Sequence, residues 1–163
     1  MPENTVTTEQ LLTALVANPK RVAALTADLT PAQLRTSPKP GEWSANDVLA
    51  HLRACADMWG GAIVTMTVED KTTLRAINPR TWIKRTDYLD LEFEPSFRAF
   101  VVQRRELVVL LQSLPPDGWE RSATVTGAGA PLLRTVHTYA RWLVHHERPH
   151  VKQIERVASA RRG

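Results

Sequence analysis

The chain contains a single cysteine, Cys55, among 163 residues. One thiol excludes an intramolecular disulfide and any multi-thiolate cluster within the chain, which fits a reducing compartment. Long apolar runs are missing as well: nowhere do about 18 apolar residues follow one another, so no membrane-spanning helix is expected. The start, MPENTVTTEQ, is polar and lacks the basic stretch and apolar core of a secretory leader, and a cytoplasmic protein is expected. Dense charge of one sign is scarce. The net charge is +4, but the arginines are scattered, and the one dense basic run, RVASARRG, lies at the terminus and reads as a solvated helix end. Neither nucleic acid nor a membrane is expected as a partner.

What is present is ordinary for a globular domain: 43% apolar and 23% charged residues, enough to bury a core within one domain, 1–163. Apolar residues recur with helical rather than period-two spacing, and Gly and Pro fall mainly at junctions, so an all-α protein is expected. A first helix is expected from near Thr7, with Gln10 completing a cap, to about Thr26, kinked or broken at Pro19. A short helical turn follows Thr30, with Pro31 in its first position. The second long helix has the clearest start. Ser44 caps it, Asp47 stands at the third position, and Trp43 and Val48 form a hydrophobic staple. It should run from Ala45 to about Glu69. Residues 71–93 form a long link, a third helix starts at Pro95 and stops at LPPDG, and a fourth runs from near Pro131 to about Ala160. Between the last two, WERSATVTGAGA reads as loop with at most a short extended piece.

At about 100° per residue, the inward stripe of the fourth helix is Val136, Ala140, Leu143, Ile154 and Val157. His150 falls inside it, His146 at its edge, and Glu147 near its centre, whereas His145 and His137 point to the surface. The second helix turns Val48, Leu52, Cys55, Trp59 and Ala62 inward, with His51 at the edge. The third presents Phe97, Phe100, Val101, Val108 and Leu111, interrupted by Arg104. An acid or base on such a face needs a partner, because burying an unpaired charge is costly. The depths of His51, Arg104 and His150 along their helices match if the second and third helices run parallel and the fourth returns. That order, up-down-down-up, needs a long crossover, which residues 71–93 supply.

His146, Glu147 and His150 spell H-E-x-x-H, the zinc-peptidase signature. The surroundings argue against it. Pro149 removes a helical N–H within the motif and should bend the helix, and Gln153 and Arg156 stand where a longer form of the signature has glycine and histidine. The alternative is a three-imidazole site of His51, His146 and His150 with an open position, suited to zinc, nickel or ferrous iron. Glu147 is a candidate base or outer-shell group, with an ion pair to Arg104 as the competing assignment; Asp47 is a weaker outer-shell candidate. Cys55 is near enough to approach a metal but reads better as a small core residue. On the crossover, Arg80, Lys84 and Arg85 are positioned to meet an anionic substrate, although exposed loop charge is the plainer reading.

Three stretches, GEWSANDVLAHLRACADMW, FRAFVVQRRELVVLLQSLPPDGWERSATV and LLRTVHTYARWLVHHERPHVKQIERV, resemble the DinB/YfiT-like superfamily. The resemblance lies in the Trp-Ser start of the second helix, the histidine seven residues after that serine, and the late H-x-x-x-H followed by Gln-Ile, and it spans residues 8–160. It implies a four-helix bundle of up-down-down-up order, often homodimeric, with a divalent metal on His51, His146 and His150. Relatives of this kind include metal-dependent transferases that use low-molecular-weight bacterial thiols, and a mycothiol-dependent isomerase. The expected function is therefore a divalent-metal-dependent transferase using such a thiol, or a related hydrolase, acting on a small-molecule substrate. The alternative is a non-catalytic dimeric helical bundle that binds a small ligand.

Overall fold

A computed structural model describes residues 6–162; most of the polar start and the final glycine of the expected 1–163 domain lie outside it. Helix α1 (Thr8–Thr26) begins where its cap predicts: Thr7 Oγ1 accepts from the Gln10 N–H and Gln10 Oε1 accepts from the Thr7 N–H. The same reciprocal pair, Thr30 with Gln33, starts the short helix α2 (Pro31–Arg35). Ser44 with Asp47 starts α3 (Ala45–Cys55). Each cap satisfies two backbone donors that the first turn leaves without helical partners.

The expected break at Pro19 does not occur, and α1 continues through it. Proline has no N–H to offer the carbonyl four residues earlier, that of Leu15. Arg104 Nη1 donates to that oxygen instead, at 3.1 Å, so a neighbouring helix supplies the missing donor.

The second long helix keeps its predicted length but changes pitch: α3 passes into a π-helical turn (Ala56–Gly60) and then α4 (Gly61–Thr67). The link after it is not featureless. It holds strand β1 (Thr73–Arg75), helix α5 (Pro79–Trp82) and two 3₁₀ turns (Ile83–Arg85 and Tyr88–Asp90). Asp57, within the π turn, fastens this link: its Oδ2 accepts from Trp82 Nε1 at 2.9 Å and from the Tyr88 hydroxyl at 2.5 Å. Its Oδ1 accepts from Gln103 Nε2 at 2.8 Å. Helix α6 (Phe93–Ser113) starts two residues before the predicted proline, with Glu92 at its N-cap position, and a short helix α7 (Pro116–Trp119) follows.

An all-α fold was expected, and a small sheet corrects it. Strand β2 (Ser122–Thr126) pairs antiparallel with β3 (Leu132–Thr135), Thr124 opposite Leu133, and parallel with β1, Leu74 opposite Val125. Helix α8 (Val136–Arg162) therefore starts five residues after Pro131 rather than at it. Residues 132–135 give their backbone bonds to the hairpin, and burying Ala123 and Val125 favours that pairing over another helical turn. Gly127 and Gly129, at φ +83° and +89°, adopt at the hairpin tip a conformation that side chains disfavour.

The four long helical segments, α1, α3 with α4, α6 and α8, pack so that α1 and α3 each contact both α6 and α8. Arg53 meets Ser96, and Asp57, one turn on, meets Gln103. Against α8 the sequence of contacts reverses, His51 meeting His146 and Trp59 meeting Trp142. Two apolar clusters fill the interior. One includes Leu11, Leu15, Ile63, Met66, Leu111 and Leu143, the other Val22, Leu49, Leu52, Phe100, Ile154 and Val157. On α1, α6 and α8 a polar stretch separates the two clusters: Asn18, Arg104, and His146 to His150. From α3, His51 and Cys55, beside Leu52 and Ala56 of the second cluster, face His146 and complete a polar seam that holds the candidate site residues.

Candidate metal centre

Two turns beyond the Ser44 cap, α3 carries His51 and, one turn later, Cys55; α8 carries His146 and His150 one turn apart. All three imidazoles meet. Ring centroids are 4.8 Å apart for His51 and His146, 4.9 Å for His51 and His150, and 4.5 Å for His146 and His150. His51 Nε2 and His146 Nε2 face each other at 2.9 Å, and Cys55 Sγ lies 3.8 Å from each. These three donor atoms lie within 4.8 Å of one another. The ring of His150 adjoins them, and its Nδ1 donates to Gln153 Oε1 at 2.9 Å, which leaves the lone pair on Nε2.

Aromatic rings bound the cluster on two sides. Trp43 stacks on His150 with centroids 6.0 Å apart and planes 11° apart, and meets His51 at a steeper angle, 5.2 Å away. Trp59 stands edge-on to His146 at 5.1 Å. Local sequence makes Trp43 half of a staple; its stacking on His150 depends on α8, more than a hundred residues away.

Burial lowers the pKa of both His51 and His146 to about 4, with neighbouring imidazoles adding to the effect. Both rings are therefore neutral at physiological pH, the state in which imidazole binds a metal. Burial, and secondarily the charge of Glu147, raises the Cys55 thiol to about 12, so the protonated thiol is the resting form.

The donor set fits a divalent cation. Two nitrogens bound at about 2.1 Å, with ligand angles between square and tetrahedral, stand about 3.0 to 3.4 Å apart, and a thiolate at about 2.3 Å adds a nitrogen–sulfur separation near 3.6 Å. The observed nitrogen–nitrogen separation of 2.9 Å lies just below that range, and the nitrogen–sulfur separations of 3.8 Å lie just above theirs, so small ring rotations bring both to ligand distances. Protein partners alone leave the cluster incomplete: among the described residues one hydrogen bond serves the two facing Nε2 atoms, although each neutral ring can offer a lone pair there. Mixed nitrogen and sulfur donors suit zinc, iron or nickel.

Glu147 points inward as predicted and is 2% exposed, and the competing assignment describes it. Its carboxylate receives both Nη atoms of Arg104, itself 4% exposed, and Asn18 Nδ2 at 3.0 Å. Those oxygens are occupied, which removes Glu147 from the role of free base. Asp47 is likewise engaged, in the Ser44 cap. His145 is exposed as expected, whereas His137 is half-buried and bonded to the Val6 carbonyl at 2.9 Å. Sequence reasoning set Cys55 aside as core. The signal that places it in the donor set was available, since it follows His51 at i+4 on the same helix face.

The model of the DinB superfamily matches residues 14–154, a span that contains every residue of the cluster. None of the curated proteins matches the chain. Among solved structures the chain is similar to YfiT from Bacillus subtilis, described as a probable metal-dependent hydrolase with an unusual four-helix bundle topology. The TM-score is 0.70 at 18% identity, covering 96% of this chain and 91% of that one, so the likeness is one of fold. The family match, extending from α1 into α8, establishes that this chain belongs to the DinB superfamily.

Proposed function

We propose that the protein is a divalent-metal-dependent enzyme acting on a small molecule, as a hydrolase or as a transferase to a low-molecular-weight thiol. His51, His146 and His150 are its imidazole ligands, with Cys55 as an adjoining sulfur donor. The observation that carries this reading is the convergence of neutral, half-buried donors from two helices, with the Nε2 atoms of His51 and His146 2.9 Å apart and a third imidazole against both. When bound, zinc, nickel or iron supplies Lewis-acid chemistry that activates water or a thiol as nucleophile at neutral pH.

The chain's own residues prepare that centre. Gln153 holds His150 with its Nε2 lone pair available. Trp43 and Trp59 keep water from two flanks of the imidazoles and limit ring rotation. Arg104 and Asn18 grip Glu147, the residue next to His146, and so fix the rotation of α8 that aims both its histidines inward. Glu147 is a positioning residue in this scheme. We assign the bundle the order up-down-down-up; the parallel progression of Arg53–Ser96 and Asp57–Gln103, and the reversed progression of His51–His146 and Trp59–Trp142, support it. Superfamily membership supports a homodimer.

Metal analysis of purified protein tests the assignment. One equivalent of a divalent ion is expected, with at least a tenfold loss of affinity in H51A, H146A and H150A. A C55S variant separates a nitrogen-only site from one that includes sulfur. Unchanged metal content in all three histidine variants would falsify the reading.

A further inference from the structure

Beside the histidine cluster lies a cavity of about 370 Å³, within the range of small-molecule sites, between the second long helix and the small sheet. Its lining is mixed: Trp59, Leu74 and Tyr139 give an apolar portion, Thr65 and Thr73 add hydroxyls, and its cations are Lys71, Arg75 and Arg134. The guanidinium carbon of Arg134, from β3, lies 4.5 Å from the Trp142 centroid and 6.0 Å from that of Tyr139, a cation–π contact that holds the charge at the cavity wall without using its N–H groups on a carboxylate. Among the described residues neither Arg134 nor Arg75 forms an ion pair. Lys71 has only a loose contact with Glu69, at 3.9 Å on the exposed rim. The one carboxylate in the wall, Asp57, is committed to Trp82, Tyr88 and Gln103. Two arginines without ion-pair partners among the described residues, beside an apolar wall, have the composition of an anion site.

Trp59 joins this cavity to the cluster, since the same indole lines the cavity and stands against His146 at 5.1 Å. We infer that the cavity binds a small organic anion, its apolar or aromatic body against Trp59 and Tyr139 and its carboxylate or phosphate on Arg134 and Arg75. Its service as the substrate subsite rests on the metalloenzyme reading; the binding itself does not. The crossover cations Arg80, Lys84 and Arg85 are not among the residues that line it.

The test uses full-length protein at low salt and three probes of one shape class: benzoate, phenyl phosphate and uncharged benzyl alcohol. Binding is read from the indole N–H resonances of Trp59 and Trp142, assigned with W59F and W142F. Both anions should shift these signals saturably and bind at least tenfold tighter than benzyl alcohol, and the tighter of the two identifies the preferred group. In R75Q/R134Q the anions should lose at least tenfold while benzyl alcohol is unchanged. Should that double variant fail to fold, the exposed single variant R75Q and a salt titration replace it, since screening should weaken anion binding several-fold. The inference is overturned if benzyl alcohol binds as tightly as benzoate, or if a folded R75Q/R134Q keeps wild-type anion affinity. H51A/H146A should keep anion binding without metal. Protein that binds anions but never metal would therefore sink the metal reading alone, and protein that binds metal but no anion would sink this one alone.

Discussion

The polar seam across the bundle has two halves that differ in one physical respect. On one side Glu147, Arg104, Asn18 and the Leu15 carbonyl form a closed set: both carboxylate oxygens are occupied, and the arginine serves the acid and the carbonyl that Pro19 leaves without a donor. On the other side His51, Cys55, His146 and His150 form an open set in which, among the described residues, the Nε2 atoms of His51 and His146 share one short contact and Cys55 Sγ stands 3.8 Å from both. The fully buried charged groups are thus finished internally, and the half-buried imidazoles are left unfinished. A buried network that completes itself serves architecture; one that does not is a place for something from outside. The adjacent positions 146 and 147 belong to opposite halves, so a single helix turn links them.

The largest effect is expected from breaking the closed half. E147A leaves the Arg104 charge buried and unpaired and should cost about 3–5 kcal/mol in urea unfolding. R104M/E147L, which removes both charges, should recover most of that loss; if the single variant is as stable as wild type, the closed half is not structural. The open half should respond to a ligand rather than to truncation. Adding a divalent ion at about a hundred times its Kd should stabilise the protein by about 2.7 kcal/mol, a gain absent in H51A and reversed by chelator. Equal melting curves for wild type with and without metal would erase the contrast between the halves.

The Asp57 latch is an intermediate case, half-buried yet satisfied, and D57A should cost about 1–3 kcal/mol by leaving donors from Trp82, Tyr88 and Gln103 unpaired. The smallest effect is one of pH. Burial, then the hydrogen bond to Asp57, raises the Tyr88 phenol from 10.0 to about 12. A group whose folded pKa is raised stabilises the fold fully below its unfolded value and loses that contribution as pH rises through the folded one. Stability should accordingly decline between about pH 10 and 12 in wild type, and less so in Y88F; identical alkaline profiles would remove Tyr88 from the latch.

Much of this contrast was legible along the chain. The inward aim of Glu147 and Arg104 follows from helical periodicity, and the cost of an unpaired buried charge made their pairing one of two assignments available for the acid. The caps at Thr7, Thr30 and Ser44 are local in sequence and were readable for that reason. Less visible was whatever depends on partners far along the chain. Residues 132–135 look like a helix start behind Pro131 until β2 offers them a pairing edge. Pro19 looks like a break until Arg104 supplies the donor it lacks. Trp43 belongs to a local staple until α8 brings His150 beneath it. Arg75 and Arg134 are unremarkable in sequence and meet only where the sheet faces the helix.

By itself the sequence determined the helical segments, their caps, the faces that turn inward and the polar residues on those faces, because periodicity and capping act within a few residues. Tertiary structure alone decided which of those polar residues close on one another and which stay open. That choice depends on side chains up to 129 positions apart, as from Asn18 to Glu147, reaching hydrogen-bonding distance, and only the packing of whole helices sets such distances.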